Sequence, residues 1–250
     1  MINLIFLHGL LGTQADWLEV IEKLEKTAPH FRCISLDLPL HGAAKNQTVA
    51  DFDDTAAYLA RRIKSAVGNE PFFLVGYSLG GRIALYYALQ AAVGKNNLRA
   101  VIVEGANVGL KTEQERKARC QNDEFWANRF SREPPRRVLN DWYRQPVFAH
   151  LTASQRMALI EKRAENCAAN IGEMLRATSL AKQPYLGEKL RRSSVPVYYL
   201  AGEKDRKFRR MAQAEQIEYS LIPAAGHNAH LENPTAFAEK LTEIVQNSQK

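Results

Sequence analysis

The segment Gly76-Tyr77-Ser78-Leu79-Gly80 constrains this 250-residue chain more than any other. It reads G-x-S-x-G. The apolar run Pro71-Phe72-Phe73-Leu74-Val75 precedes it and reads as a strand buried on both faces. Residues 81–89 come next and read as a helix. A serine at so tight a strand-to-helix turn is held in a strained backbone conformation and presents its hydroxyl above the sheet. The flanking glycines fit where strand and helix pack closely. The pentapeptide alone is a weak signal. Its strand-turn-helix setting makes Ser78 a candidate nucleophile.

The rest of the chain supplies the sheet. Apolar runs at 2–7, 32–36, 72–75, 100–103, 195–200 and 218–222 read as buried strands. Helical patterns at 16–27, 49–67, 81–92 and 235–247 alternate with them. Such alternation predicts an α/β architecture, a mostly parallel sheet with helices on both faces, whose ligands bind at the carboxyl ends of the strands. The alternation breaks between 106 and about 190. That stretch holds helical patterns at 112–130, 152–167 and 171–180 and no good strand. It is too long for a loop and reads as a helical cap over a core made of 1–105 and 191–250.

A serine needs a base, and the base needs an orienting partner. On a sheet of this kind the usual chain order is serine, acid, histidine. Asp205 ends a short turn after the fifth apolar run. His227 comes after the sixth, in Ala225-Gly226-His227-Asn228. Both fall at the edge that carries Ser78. Glu104, which ends the fourth run, is the rival acid. The loop His8-Gly9-Leu10 after the first strand donates one oxyanion-hole amide in this architecture, and the residue after the nucleophile donates the other. That assigns the backbone N–H groups of Leu10 and Leu79. His41, in the turn 37–42, reads as structural.

Charge narrows the substrate. The formal net charge is +7, and ten of the twenty arginines lie between 106 and 190. No nucleic-acid-binding motif accompanies them, and no apolar stretch is long enough to span a membrane. An anionic small molecule is the partner that arginine suits best, because its fork contacts a carboxylate at two points. Arg82 stands one helical turn after Ser78, and a cation buried there is costly unless an anion meets it. Cys33, Cys120 and Cys167 lack metal-ligand spacing and are odd in number, and no leader is visible. These features predict free thiols in a cytoplasmic protein with no metal, and the chain is expected to act as a monomer or small homo-oligomer.

Several segments together carry a more specific signal. They are His8-Gly9, residues 76–82, 101–105 (Val-Ile-Val-Glu-Gly), 141–148 (Asp-Trp-Tyr-Arg-Gln-Pro-Val-Phe), 177–180 and the run 225–234 containing Gly-His-Asn-Ala-His and Glu-Asn-Pro. Over nearly its whole length the chain resembles the 2-succinyl-6-hydroxy-2,4-cyclohexadiene-1-carboxylate synthases of menaquinone biosynthesis. That resemblance implies an α/β-hydrolase fold with the cap inserted after the sixth strand of the usual hydrolase order. It implies a lyase that needs no cofactor. The substrate would be a cyclohexene bearing an enolpyruvyl ether, a succinyl group and a ring carboxylate, from which pyruvate is expelled. The family's carboxylate-binding arginines map onto Arg82, Arg119 and Arg163, its cap tryptophan onto Trp142, and Tyr77 joins the same pocket. Two departures stand out. The N-terminal hairpin common on this fold is expected to be missing, and Leu40 stands where related turns carry glycine. A carboxylesterase or thioesterase for an anionic substrate fits the same triad and is the alternative; a non-catalytic binding protein fits it poorly.

Overall fold

A computed structural model describes residues 1–95 and 97–248. Six parallel strands form one sheet in the order β2-β1-β3-β4-β5-β6. They are β1 (Ile2–Leu7), β2 (Phe31–Leu36), β3 (Phe72–Tyr77), β4 (Leu98–Glu104), β5 (Val197–Gly202) and β6 (Tyr219–Ile222). Successive side chains alternate between the two faces. Along β1, Leu4 and Phe6 join one core layer and Ile5 and Leu7 the other. Helices α1 (Leu18–Thr27) and α11 (Pro234–Asn247) cover the first face, with Val20, Leu24, Phe237 and Leu241 buried. Helices α2 (Phe52–Val67) and α3 (Leu79–Leu89) cover the second, and Phe208 of α9 (Arg206–Ala214) adds to it. The strands must therefore be apolar on both faces, which is why they read as continuous runs.

Strand ends differ from the sequence reading by at most two residues, and β5 has a physical reason. It begins at Val197 rather than 195, because Pro196 lacks an N–H to give the ladder. Its carbonyl still accepts from Val101 N at 2.9 Å. Helix α2 starts three residues later than expected, at the point where Asp51 caps it by accepting from Asp54 N.

Between β4 and β5 lie five helices: α4 (Glu113–Arg132), α5 (Pro135–Trp142), α6 (Ala153–Arg163), α7 (Ala168–Ala177) and α8 (Gly187–Arg191). Capping boxes at Thr112/Glu115 and Thr152/Gln155 fix the starts of α4 and α6. Helix α4 packs along α7, and Trp126, Phe130, Val138, Leu139, Ile160 and Leu175 form a small core of their own. Helix α10 (Ala229–Glu232) comes after the His227 loop. Among the described residues no helix is long and apolar enough to cross a membrane.

Candidate active site

Ser78 sits between β3 and α3 with φ +49° and ψ −106°. That left-handed value is rare outside glycine and marks the strained turn that the motif predicts. Its amide donates to Glu104 O at 2.8 Å, pinning the turn to β4. Two residues on, a Cβ at Gly80 would meet the carbonyl oxygens of Leu7 and His8. Only glycine lets the helix start this close to β1.

His227 and Asp205 reach the same edge from the loops after β6 and β5. Nδ1 of His227 donates to Oδ2 of Asp205 at 2.8 Å, with both side chains almost wholly buried. That bond fixes the tautomer and leaves Nε2 as the ring nitrogen free to act on a hydroxyl. The other carboxylate oxygen of Asp205 caps α9 by accepting from Phe208 N at 3.1 Å. The Phe208 ring stacks on the imidazole at 4.8 Å. A capped helix thus holds the acid, and an aromatic platform holds the base.

Glu104 does not face His227. Its carboxylate takes both the ring Nδ1 (2.7 Å) and the backbone N–H (3.3 Å) of His230, and both residues are fully buried. Trp17 stacks on the other side of that ring at 4.4 Å. His8 and His41 are structural as well. Leu38 N donates to Nε2 of His8, so Nδ1 carries the hydrogen and donates to Gly9 O at 2.8 Å. Burial pushes His8 down to about 4 and His41 to about 3, so both are neutral. Leu40 adopts φ +65°, the conformation for which a glycine is the easy choice, and its buried side chain packs into the core instead.

Ser78 and His227 open onto one cavity of about 130 Å³. Leu10 and Leu79 line it, and neither amide has a backbone partner among the described residues. Tyr77, Arg82, Arg119 and Trp142 also line it. The Tyr77 hydroxyl donates to Asn228 Oδ1, and burial holds that phenol well above its usual range, so it stays protonated. Trp142 packs edge-on against Trp126 at 5.1 Å.

Arg82 is the unusual group. It is buried, and its donors reach only neutral acceptors, Thr178 O at 3.0 Å and Gln183 Oε1 at 3.4 Å. No carboxylate among the described residues pairs with it. Burial pushes it down to about 9, and Arg119 adds repulsion, yet it remains cationic at neutral pH. Arg119 uses one nitrogen to bond Asp123 at 2.7 Å, and Ser179 holds the far oxygen of that carboxylate.

Arg163 is expected in this cavity and is not brought there. It forms a two-pronged pair with buried Asp16, both contacts at 2.8 Å, and Lys162 adds a third at 3.0 Å. Burial alone would raise the Asp16 carboxyl, but Arg163 and Lys162 hold it well below the usual range. A buried carboxylate captures the nearest arginine because leaving either charge alone is costly. The pair ties α6 to the loop that carries Leu10. Conversely, Asn107, Lys207 and Phe208 line the cavity and escape the sequence reading, as do the roles of Gln145 and Phe148, which lie in the 141–148 segment that carries the resemblance. Lys207 and Phe208 had a signal, since they open the helix that Asp205 caps.

Comparison with known proteins places this geometry. The alpha/beta hydrolase fold family matches residues 2–234. A Haemophilus influenzae protein, named provisionally as 2-succinyl-6-hydroxy-2,4-cyclohexadiene-1-carboxylate synthase, is 60% identical over 245 residues, 98% of each chain. The chain belongs to this synthase family, on the alpha/beta hydrolase fold. The synthase of Serratia proteamaculans is 42% identical, covering 98% of this chain and 93% of its own. The structure of MenH from S. aureus superposes with a TM-score of 0.88 at 27% identity, over 99% of this chain and 94% of that one. Within the synthase family, then, the cavity holds a strained serine, a histidine-aspartate pair and a buried arginine with no anion of its own.

Proposed function

We propose that this chain is a carbon–oxygen lyase of menaquinone biosynthesis. It eliminates pyruvate from 2-succinyl-5-enolpyruvyl-6-hydroxy-3-cyclohexene-1-carboxylate to give 2-succinyl-6-hydroxy-2,4-cyclohexadiene-1-carboxylate. The observation that carries the reading beyond the fold is Arg82. A buried cation lacking a protein anion, in the cavity of Ser78 and His227, suits a substrate that brings its own carboxylates.

In this reading His227 Nε2 takes the Ser78 proton as the serine oxygen takes a ring proton. The freed electron pair forms the new ring double bond, the carbon–oxygen bond to the enolpyruvyl group breaks, and that group leaves as the enolate of pyruvate. The proton held on His227 is then returned to it, giving pyruvate and restoring the neutral imidazole and the serine hydroxyl. Asp205 stabilises the imidazolium that forms. The Leu10 and Leu79 amides face the oxygen on which charge builds. Arg82 and Arg119 hold carboxylates, with Tyr77 and Trp142 shaping the pocket. Arg163 contributes through Asp16, by fixing the Leu10 loop against the cap. No cofactor takes part in this scheme.

The test supplies the enolpyruvyl-bearing substrate and measures pyruvate release beside hydrolysis of anionic carboxylic esters and thioesters. Pyruvate release that leaves no covalent serine adduct supports the lyase. An adduct on Ser78 that forms and decays at the rate of turnover would favour the esterase alternative.

A further inference from the structure

The residues on either side of His227 are tied down by a group outside the triad. Glu232, at the end of α10, accepts from Gly226 N through one carboxylate oxygen at 2.8 Å and from Asn228 N through the other at 3.1 Å. The carboxylate thus spans the two amides that flank the histidine. His150 closes it from the cap, with Nε2 2.9 Å from the oxygen shared with Asn228. His150 also lies flat against Gly226, where any Cβ would collide with its ring, so that glycine is what admits it. Both partners are mostly buried. The short helical turn just before His150 (Pro146–Phe148) supplies Val147 and Phe148 to the cavity wall, and the Phe148 ring lies 5.9 Å from that of His227.

We propose that Glu232 is a positioning residue for His227 and that His150 couples this brace to the seating of the cap. The inference rests on His227 being the base. The physical argument is orientation. The Asp205 bond fixes one ring nitrogen but leaves the loop free to carry the ring sideways. Two charge-assisted bonds to adjacent amides remove that freedom. Displacements near 1 Å from a productive geometry cost catalysis heavily, even when the residue changed is away from the chemistry. When residues 146–150 sit on the core, one segment walls the cavity and completes the brace.

The experiment uses the full chain, pyruvate release and four variants: Glu232→Gln, His150→Ala, the double variant and His227→Ala. The amide of Glu232→Gln can accept from only one of the two flanking N–H groups. It should lower kcat by ~10-fold with KM unchanged within about twofold. His150→Ala should lower kcat less, by ~3- to 5-fold, and the double variant should be no slower than Glu232→Gln alone, because both changes break one device. The low-field proton shared by His227 and Asp205, identified by its loss in His227→Ala, should shift or broaden in Glu232→Gln at temperatures well below unfolding. A merely structural glutamate would lower Tm and leave that proton and kcat unmoved. A folded Glu232→Gln variant with kcat within twofold of the parent overturns the brace, and multiplicative losses in the double variant overturn the coupling to the cap. If Glu232→Gln does not fold, an unchanged kcat in His150→Ala overturns the coupled brace in its place. An inactive His227→Ala beside a normal Glu232→Gln leaves the base assignment standing and removes only this proposal. An active His227→Ala removes both.

Discussion

At the sheet edge the backbone fixes the serine and helps fix the acid, whereas in the cap the arginines are mostly held by other side chains. Ser78 is fixed by its own strained turn and the Glu104 carbonyl, and Asp205 by the amide of Phe208. In the cap, Arg129 pairs with Glu133 and Asp141, Arg136 with Glu161, and Arg176 with Glu124. Half the arginines lie there, yet most are answered by local carboxylates. Arg82, buried on the cavity with no carboxylate paired to it among the described residues, belongs to the core helix. Of the arginines expected to meet the substrate, Arg82 and Arg119 line the cavity and Arg163 is taken up by Asp16. In the proposed scheme the core brings the triad, Arg82 and Lys207 to the cavity, and the cap brings walls and Arg119.

The sharpest test of that division lies in the core. Ser78→Ala should slow pyruvate release by at least ~10³-fold. Asp205→Asn should cost ~10⁴-fold, because an amide disfavours the tautomer that His227 needs. Glu104→Gln should spare the chemical step by comparison, since that carboxylate serves His230. Steady-state rates on folded variants decide it. A Glu104 variant slower than the Asp205 variant would move the acid role to β4.

Arg163 tests the boundary between the two regions. If it holds Asp16, Arg163→Met leaves a buried carboxylate with only Lys162 and should cost about 3–5 kcal/mol of stability. The double change Asp16→Leu/Arg163→Met should be less destabilised than the single one, read by urea unfolding. A kcat/KM loss with stability unchanged would return Arg163 to the substrate.

The loop that Arg163 secures should also be acid-sensitive. His8 has a folded value near 4 against an ordinary 6.5, so the unfolded chain binds more protons between those values. Its stabilising contribution is complete above about 6.5 and falls as pH drops toward 4, by roughly 3 kcal/mol. His41 adds the same sign over a window reaching about 3. Unfolding free energy should therefore decline from pH 6.5 to 4, with Asp16 contributing only below the ordinary carboxylate range. Stability that stayed flat over that window would show that these imidazoles are not held neutral by burial.

The positions that converge on the cavity were legible for an identifiable reason. Ser78, Asp205 and His227 each lie just past the end of a strand, and parallel strands deliver their trailing loops to one edge. The hidden features depend on pairing across sequence distance. Asp16 lies 147 residues from Arg163, and nothing in either segment announces the other. Glu104 read as a rival acid because it ends a strand; only the fold shows His230 occupying it. The carboxylate of Glu232 bonds backbone amides, which leave no residue-type signature. In the cap, α5 and α8 went unread because they are short and draw their order from packing against longer neighbours.

The smallest effects should separate the arginines themselves. A charge-assisted bond to a substrate carboxylate in a desolvated pocket is worth ~1.5–3 kcal/mol, roughly 10- to 150-fold in kcat/KM. Arg82→Ala should fall at the upper end, because among the described residues Arg82 shares its charge with no paired carboxylate. Arg82→Lys should recover little, since an ammonium cannot make a two-pronged contact. Arg119→Ala should fall at the lower end and act mainly on KM, since Asp123 already shares its charge. Arg136, mostly exposed and paired with Glu161, is the control for plain loss of positive charge and should change kcat/KM by less than about twofold. Repeating the series at high salt separates a clamp from a field, because screening weakens diffuse attraction between exposed charges far more than a buried contact. If Arg136→Ala lost as much as Arg82→Ala, and added salt erased both losses, the cap's basic surface would be steering the substrate. The distinction between answered and unanswered arginines would then carry no functional weight.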